Sequence, residues 1–255
     1  MIDVHCHLST KKFRDLDNPI REKIDEYKNY LKAIIDSAPN FEEAKISLEI
    51  SEKYKNFIFS SLGLHPVDAL NYTEKEIDEY IEFINENKKK IVAIGEIGLD
   101  YYWIKESHKI QKQKEIFKRF IELAKDLDKP IVIHARLAFE DALKILVNED
   151  VKKALFHFFD GKVKVAKEIV KEGYLISINN QIYKNPAIQN VAKEIDLNYL
   201  VCETDSPWAG IGKEINEPTN VRICIEEIAK IKNLPKEEVE KITDINAINF
   251  FELEL

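Results

Sequence analysis

Glycine and cysteine are scarce in this chain: seven of the first and three of the second in 255 residues. Cys6, Cys202 and Cys224 form no even disulfide set and lack the spacing of a zinc motif, which excludes a disulfide-stapled scaffold. A reducing, cytoplasmic setting is the expectation. No apolar run approaches the ~20 residues of a membrane span. The first strand-like run starts at Ile2, leaving no room for a targeting segment, so no membrane association is expected. Positive charge is not in excess either: 38 Lys and Arg stand against 46 Asp and Glu, a net charge of −8. That balance excludes a broad basic footprint on duplex nucleic acid. It leaves open an enzyme that grips one phosphate or one strand end, because bound cations would supply the local positive charge. Internal repeats, low-complexity tracts and linkers are absent from the sequence as well.

What the chain has instead is a regular alternation. Short β-branched runs at 2–5, 31–37, 57–63, 91–95, 131–134, 154–157, 174–178 and 199–203 are separated by longer amphipathic stretches. The clearest of these, 108–127, repeats Phe117, Phe120, Ile121, Ala124 and Leu127 at helical spacing. Gly173 suits a left-handed helix terminus, and Pro130 stops the helix before the fifth strand. The strand runs are almost continuously apolar, as in a parallel sheet covered on both faces. Eight such units predict an α/β fold, a TIM (β/α)8 barrel of the metal-dependent hydrolase type, with 1–255 as one domain. After the eighth strand, 218–232, 236–243 and 244–253 read as helices for the bottom and outside of the barrel.

Five of the six histidines stand at the ends of predicted strands. His5 and His7 close the first, His65 follows the third, His134 ends the fifth and His157 the sixth. Glu96 and Asp205 occupy the same place on the fourth and eighth. In a parallel barrel these ends open at one mouth, so the side chains converge, and imidazoles with carboxylates are the donors a divalent metal needs. Residues two apart on a strand share a side, so His5 and His7 address one ion while Cys6 turns away. Glu96 lies between Gly95 and Gly98 at a strand end, where the backbone can approach a ligand closely and the carboxylate can bridge two cations. The eighth strand pairs with the first, which sets Asp205 beside His5 and His7, able to bind metal and to accept a proton from metal-bound water.

Two further residues suit substrate binding. His65 can hydrogen-bond a phosphate, and Arg136, two residues past His134 and on its side, can hold an anionic group. Tyr101, Tyr102 and Trp103 follow the Glu96 segment; they stack on a base or pack under the loop. Asp160-Gly161 reads as a turn. Each motif alone is an ordinary feature: His-x-His closes many strands, and Asp before Ser-Pro caps many helices. Their joint placement is what points to a metal centre.

With these residues in view the chain resembles the TatD-family metal-dependent hydrolases, within the amidohydrolase-like barrels. The resemblance runs nearly end to end, on Ile2-Asp3-Val4-His5-Cys6-His7-Leu8, Gly63-Leu64-His65-Pro66, Gly95-Glu96-Ile97-Gly98-Leu99-Asp100, Pro130 to Arg136, His157-Phe158, Glu203-Thr204-Asp205-Ser206-Pro207 and Asn216-Glu217-Pro218. It implies two adjacent divalent ions, Zn²⁺, Mg²⁺ or Mn²⁺. One would be held by His5, His7, Glu96 and Asp205, the other by Glu96, His134 and His157, with His65 assisting substrate. It also implies deoxyribonuclease activity from a strand end, with D-aminoacyl-tRNA deacylation among relatives. Two departures bear on substrate preference. Trp208 to Lys213 lacks the His-Arg-Gly run common in the family, and Leu137-Ala138 follows Arg136 where many members have an acidic residue.

The leading expectation is phosphodiester hydrolysis of DNA by a metal-activated water, with Asp205 and Glu96 as the catalytic carboxylates. The alternative is a metal-dependent ester, lactone or amide hydrolase, such as a D-aminoacyl-tRNA deacylase. Phosphotriesterase-like relatives bridge their metals with a carbamylated lysine; Glu96 at the fourth strand favours the nuclease-like branch. A third reading, a barrel that only binds, predicts no stoichiometric metal. A monomer acting on DNA or another phosphodiester is expected.

Overall fold

Runs such as Ile131-Val132-Ile133 and Ala154-Leu155-Phe156 have no polar face, so each must be covered on both sides, and the chain achieves this by following every strand with a helix. The computed structural model describes residues 1–11, 20–212 and 214–255; Lys213 lies outside the described residues. The strands are β1 (Ile2–Cys6), β2 (Ala33–Ala38), β3 (Ile58–Leu62), β4 (Ile91–Asp100), β5 (Ile131–Arg136), β6 (Ala154–Phe156), β7 (Leu175–Asn179) and β8 (Leu200–Glu203). The helices that follow them in turn are α1 (Ile24–Tyr27), α2 (Phe41–Lys53), α3 (Glu74–Glu86), α4 (Ser107–Asp126), α5 (Phe139–Asn148), α6 (Val163–Lys171), α7 (Pro186–Glu194) and α8 (Val221–Lys232). A last helix, α9 (Lys236–Phe251), completes the described elements.

All seven neighbouring pairs from β1 to β8 are parallel. β8 returns to β1 through two backbone bonds beyond its end: Asp205 N–H donates to the His5 carbonyl at 2.9 Å, and His7 N–H to the Ser206 carbonyl at 2.7 Å. The result is the expected eight-stranded barrel, with helices between successive strands.

Local chemistry sets the helix boundaries. Thr73 and Glu76 form a reciprocal capping box at the start of α3. Asn40 caps α2, and Asn185 followed by Pro186 opens α7. Gly173 takes φ +82° after α6, the left-handed conformation its position requires. Among the described residues no helix is long and apolar enough to cross a membrane.

Two expectations on element boundaries are corrected. The segments 236–243 and 244–253 are one continuous helix, because Asp244 does not cap a new one. It is buried on α9, where its carboxylate meets Lys32 Nζ at 2.7 Å and the amino terminus at 3.3 Å. The fourth strand does not end at Gly95 but runs to Asp100, so Glu96 lies within a strand, not in a loop.

Two bulges explain how the site residues come to face inward. Between Asp3 and Cys6, β1 advances three residues against two on β2; between Ile94 and Ile97, β4 does the same against β5. One extra residue reverses the in–out alternation. Ile2, Val4 and Ala93 therefore line the lower barrel, while His5, His7 and Glu96 also point inward above them. Glycine makes the β4 bulge fit: a Cβ on Gly98, at φ +143°, would stand 2.1 Å from the His134 carbonyl oxygen.

The core has two parts. The larger lies between strands and helices. The smaller fills the barrel floor, where Ile2, Val4, Ala33, Ile35, Val132 and Val201 meet Phe250 and Phe251 at the end of α9. This helix is a plug, tied to the barrel by Asn246 Nδ2 donating to the Leu197 and Leu200 carbonyls. Phe251→Ala removes a side chain only 2% exposed. It is expected to cost about 3–5 kcal/mol in urea denaturation; an unchanged midpoint would show that the floor stands without the plug.

Candidate metal centre

The upper end of the barrel gathers His5 and His7 from β1, Glu96 from β4, His134 from β5, His157 after β6 and Asp205 after β8 around one pocket. Glu96 is the hub, 4% exposed, with its two oxygens aimed at different partners. Oε1 lies 3.8 Å from His7 Nε2. Oε2 lies 2.8 Å from His157 Nε2, 3.3 Å from His134 Nδ1 and 3.9 Å from His5 Nε2. Asp205 closes the other side, its Oδ1 at 3.1 Å from His7 Nε2 and 3.7 Å from His5 Nε2. The rings of His5 and His157 stack at 4.0 Å between centroids. All six residues read from the sequence as one centre are thus brought together.

Three of the four imidazoles are oriented by a hydrogen bond at the outer nitrogen; the His157 Nδ1 makes none. His7 Nδ1–H donates to the Ser37 carbonyl at 2.8 Å, which turns Nε2 inward. His5 Nδ1 shares a hydrogen bond of 3.0 Å with the Ser37 hydroxyl. His134 is reversed: Nε2 bonds Asp100 Oδ2 at 3.1 Å and Nδ1 faces Glu96. His157 Nδ1 looks toward the buried Glu203 carboxylate at 3.8 Å, whose Oε1 accepts the Phe158 N–H.

Ser37, Asp100 and Glu203 are the functional-site residues that reading the sequence did not single out. Asp100 was within reach, closing the same glycine-framed segment as Glu96. Glu203 opens the Glu203-Thr204-Asp205-Ser206-Pro207 run but carries no sign of its own role, and Ser37 gave no signal beside Asp36 in an otherwise apolar strand.

The electrostatics are those of charge packed without water. Burial alone would push the Glu96 carboxyl up, but His157, His134 and His65 hold it well below its ordinary range. Burial and the neighbouring His157 force His5 well below the usual imidazole value. His7 is likewise opposed by burial, yet its hydrogen bond to Asp205 and the charge of Glu96 raise it to about 9. His157 rises too, because Glu96 and Glu203 outweigh its burial.

The donors suit divalent cations. His5 Nε2 is buried, has no hydrogen-bond partner and points at two carboxylates. The triads His5–His7–Glu96, His5–His157–Asp205 and Glu96–His134–His157 each bring three donor atoms within 4.8 Å of one another. Two of them share Glu96, which offers a different oxygen to His7 than to His134 and His157.

The two residues expected at the substrate are placed differently. His65 stands beside the centre, its ring 4.3 Å from that of His134. Its Nδ1 accepts the Val67 N–H at 3.2 Å, leaving Nε2–H as a donor. Burial and His134 bring its pKa down to about 3, so the ring is neutral. Arg136 is at the pocket rim and exposed, with its guanidinium 4.0 Å above the Tyr102 ring. Asp160 lines the same rim.

Comparison with known proteins agrees with this geometry. The family model described as TatD related DNase matches residues 2–252. Deoxyribonuclease TATDN3 of Homo sapiens is 34% identical over 261 residues, covering 98% of this chain and 94% of that protein. A metal-dependent hydrolase of Methanocaldococcus jannaschii, described as uncharacterized, is 38% identical over 255 residues, covering 100% and 98%. Among solved structures, a TatD homologue from Escherichia coli superposes with a TM-score of 0.89 over 99% of this chain and 98% of that one; at 23% identity the likeness is one of fold. Matched along almost its whole length, with the barrel and the clustered donors its motifs call for, the chain belongs to the TatD-related DNase family.

Proposed function

We propose that the protein is a divalent-metal-dependent hydrolase that cleaves phosphodiester bonds in DNA. The observation that carries this reading is the place of Glu96 between all four imidazoles, its Oε1 nearest His7 and its Oε2 nearest His157 and His134, with His5 3.9 Å from Oε2. His5, His7, Glu96 and Asp205 would hold one ion, and Glu96, His134 and His157 a second. Zn²⁺, Mn²⁺ and Mg²⁺ are the candidates for this donor set. Ions held there would supply Lewis acidity, to activate a water and to polarise the phosphoryl group.

The protein's own groups then do the rest. Asp205 is the most solvent-accessible of the six, with 18% of its side chain exposed against 15% or less for the others. It is the carboxylate at the pocket mouth that can collect the proton of an attacking water. Neutral His65 keeps an N–H donor beside the centre, suited to a non-bridging phosphate oxygen. Asp100 and Ser37 fix the imidazoles so that they need no rearrangement when substrate arrives. A reducing, cytoplasmic setting fits the three buried, unpaired cysteines, and action as a monomer is part of the same proposal.

Three outcomes follow. Asp205→Asn is expected to leave the melting temperature close to wild type and lower kcat on DNA by 10²-fold or more; wild-type turnover would remove Asp205 from the mechanism. Purified protein is expected to bind close to two equivalents of Mn²⁺ or Zn²⁺ by elemental analysis, and chelation should abolish hydrolysis of single-stranded DNA. Activity confined to aminoacyl-tRNA would instead assign the centre to ester hydrolysis. Burial opposes protonation of His7, but the hydrogen bond to Asp205 and the charge of Glu96 raise it to about 9, so it is protonated at pH 7. A cation bound through its Nε2 would have to displace that proton, and affinity weakens as pH falls. Calorimetry in two buffers of different ionisation enthalpy should report net proton release at pH 7; equal heats would contradict this.

A further inference from the structure

Single exposed apolar side chains are ordinary on a protein surface, but here several follow strand ends at one mouth of the barrel. Of the nine conspicuously exposed ones among the described residues, Tyr102, Trp103, Leu137 and Trp208 all follow strand ends at the mouth of the barrel. Trp103 is 63% exposed and Tyr102 45%. They do not pack beneath a loop. Tyr102 stands edge-on to Trp103, with ring centroids 4.8 Å apart and planes at 86°. Arg136 stacks on Tyr102 at 4.0 Å and lies 5.7 Å from Trp103.

The position of this pair is tied to the metal centre. Asp100 uses one oxygen, Oδ1, to accept the backbone N–H groups of Tyr102 at 2.9 Å and Trp103 at 2.8 Å. Its other oxygen, Oδ2, takes the Nε2 of His134 at 3.1 Å. One buried carboxylate therefore holds both a histidine facing Glu96 and the backbone that displays two aromatic rings. The backbone that carries the rings is thus held one side chain away from His134.

We propose that Trp103, braced by Tyr102 and held through Asp100, is the stacking platform for the nucleobase that flanks the scissile phosphate, with Arg136 at that nucleotide's phosphate. The inference rests on the proposed phosphodiesterase reading and adds a specificity-determining surface to it. The chemistry is consistent with the charge of the chain. A protein of net charge −8 has no overall excess of cations with which to neutralise many phosphates, whereas an aromatic face accepts any base and an Arg needs only one phosphate. It also predicts that the base must be unpaired, since a base inside a duplex has no free face to offer.

Steady-state kinetics on a short single-stranded oligodeoxynucleotide tests this. Trp103→Ala is expected to raise KM about tenfold with kcat within a factor of two, and Trp103→Phe to restore most of the loss. Replacing the flanking nucleotide by an abasic spacer should raise the KM of the wild type similarly and add nothing in Trp103→Ala. A KM unchanged by Trp103→Ala, or equal effects of the spacer in both proteins, would overturn the platform. A binding readout separates this from the catalytic reading. In zinc-loaded Asp205→Asn protein that also carries Trp208→Phe, the remaining tryptophan should be quenched saturably by the oligonucleotide and not by its abasic counterpart. Quenching without hydrolysis in the Asp205-containing protein would sink the phosphodiesterase proposal and keep the platform; hydrolysis without quenching would do the reverse.

Discussion

A carboxylate with almost no contact with water, ringed by four imidazoles, is the constraint around which this barrel is built. Glu96 is 4% exposed, and a charge so buried is tolerated only when opposite charge or strong donors surround it. His157, His134, His5 and His7 supply them from three strands, at 2.8 to 3.9 Å. The β4 bulge turns Glu96 inward, and Gly98 is there because a larger residue would collide with the very strand that brings His134. Removing any one imidazole would leave the others to carry a buried charge of several kcal/mol in cost, so the group stands or falls together.

Around this hub lies a shell of partners whose task is orientation. Ser37 serves two histidines at once, its carbonyl holding His7 and its hydroxyl His5. Asp100 reaches His134 from the opposite side and so inverts that ring, the one imidazole presenting Nδ1 instead of Nε2. The Ser37 carbonyl and the Asp100 carboxylate only accept, so His7 Nδ1 and His134 Nε2 donate outward and their other nitrogens face the centre. The Ser37 hydroxyl can donate to or accept from His5 Nδ1. The surrounding pocket can then be polar and open without the donors becoming loose.

Much of this could be read from residue order alone, and the reason is geometric. Parallel strands separated by helices all end on the same side, so His5, Glu96, His134, His157 and Asp205 converge although they span two hundred positions. What could not be read is whatever breaks the simple alternation. Nothing in Asp3-Val4-His5-Cys6 announces that one residue of β1 is unpaired, yet without it Ile2 and Val4 would face the floor while His5 and His7 faced the helices. The glycines flanking Glu96 read as a strand end, and are instead a bulge inside a longer strand because β5 continues beside them to Arg136. Asp244 looked like a helix start; its real partners, Lys32 and the amino terminus, lie more than two hundred residues away in sequence. Long-range pairing of that kind leaves no local trace.

The junction of β8 with β1 carries a consequence for how the protein is made. Asp205 N–H bonds the His5 carbonyl, and the side chains of the same two residues face each other across the pocket. Positions 5 and 205 lie two hundred residues apart, so this side of the centre forms only when the last strand pairs with the first, and the donor cluster is a product of complete folding.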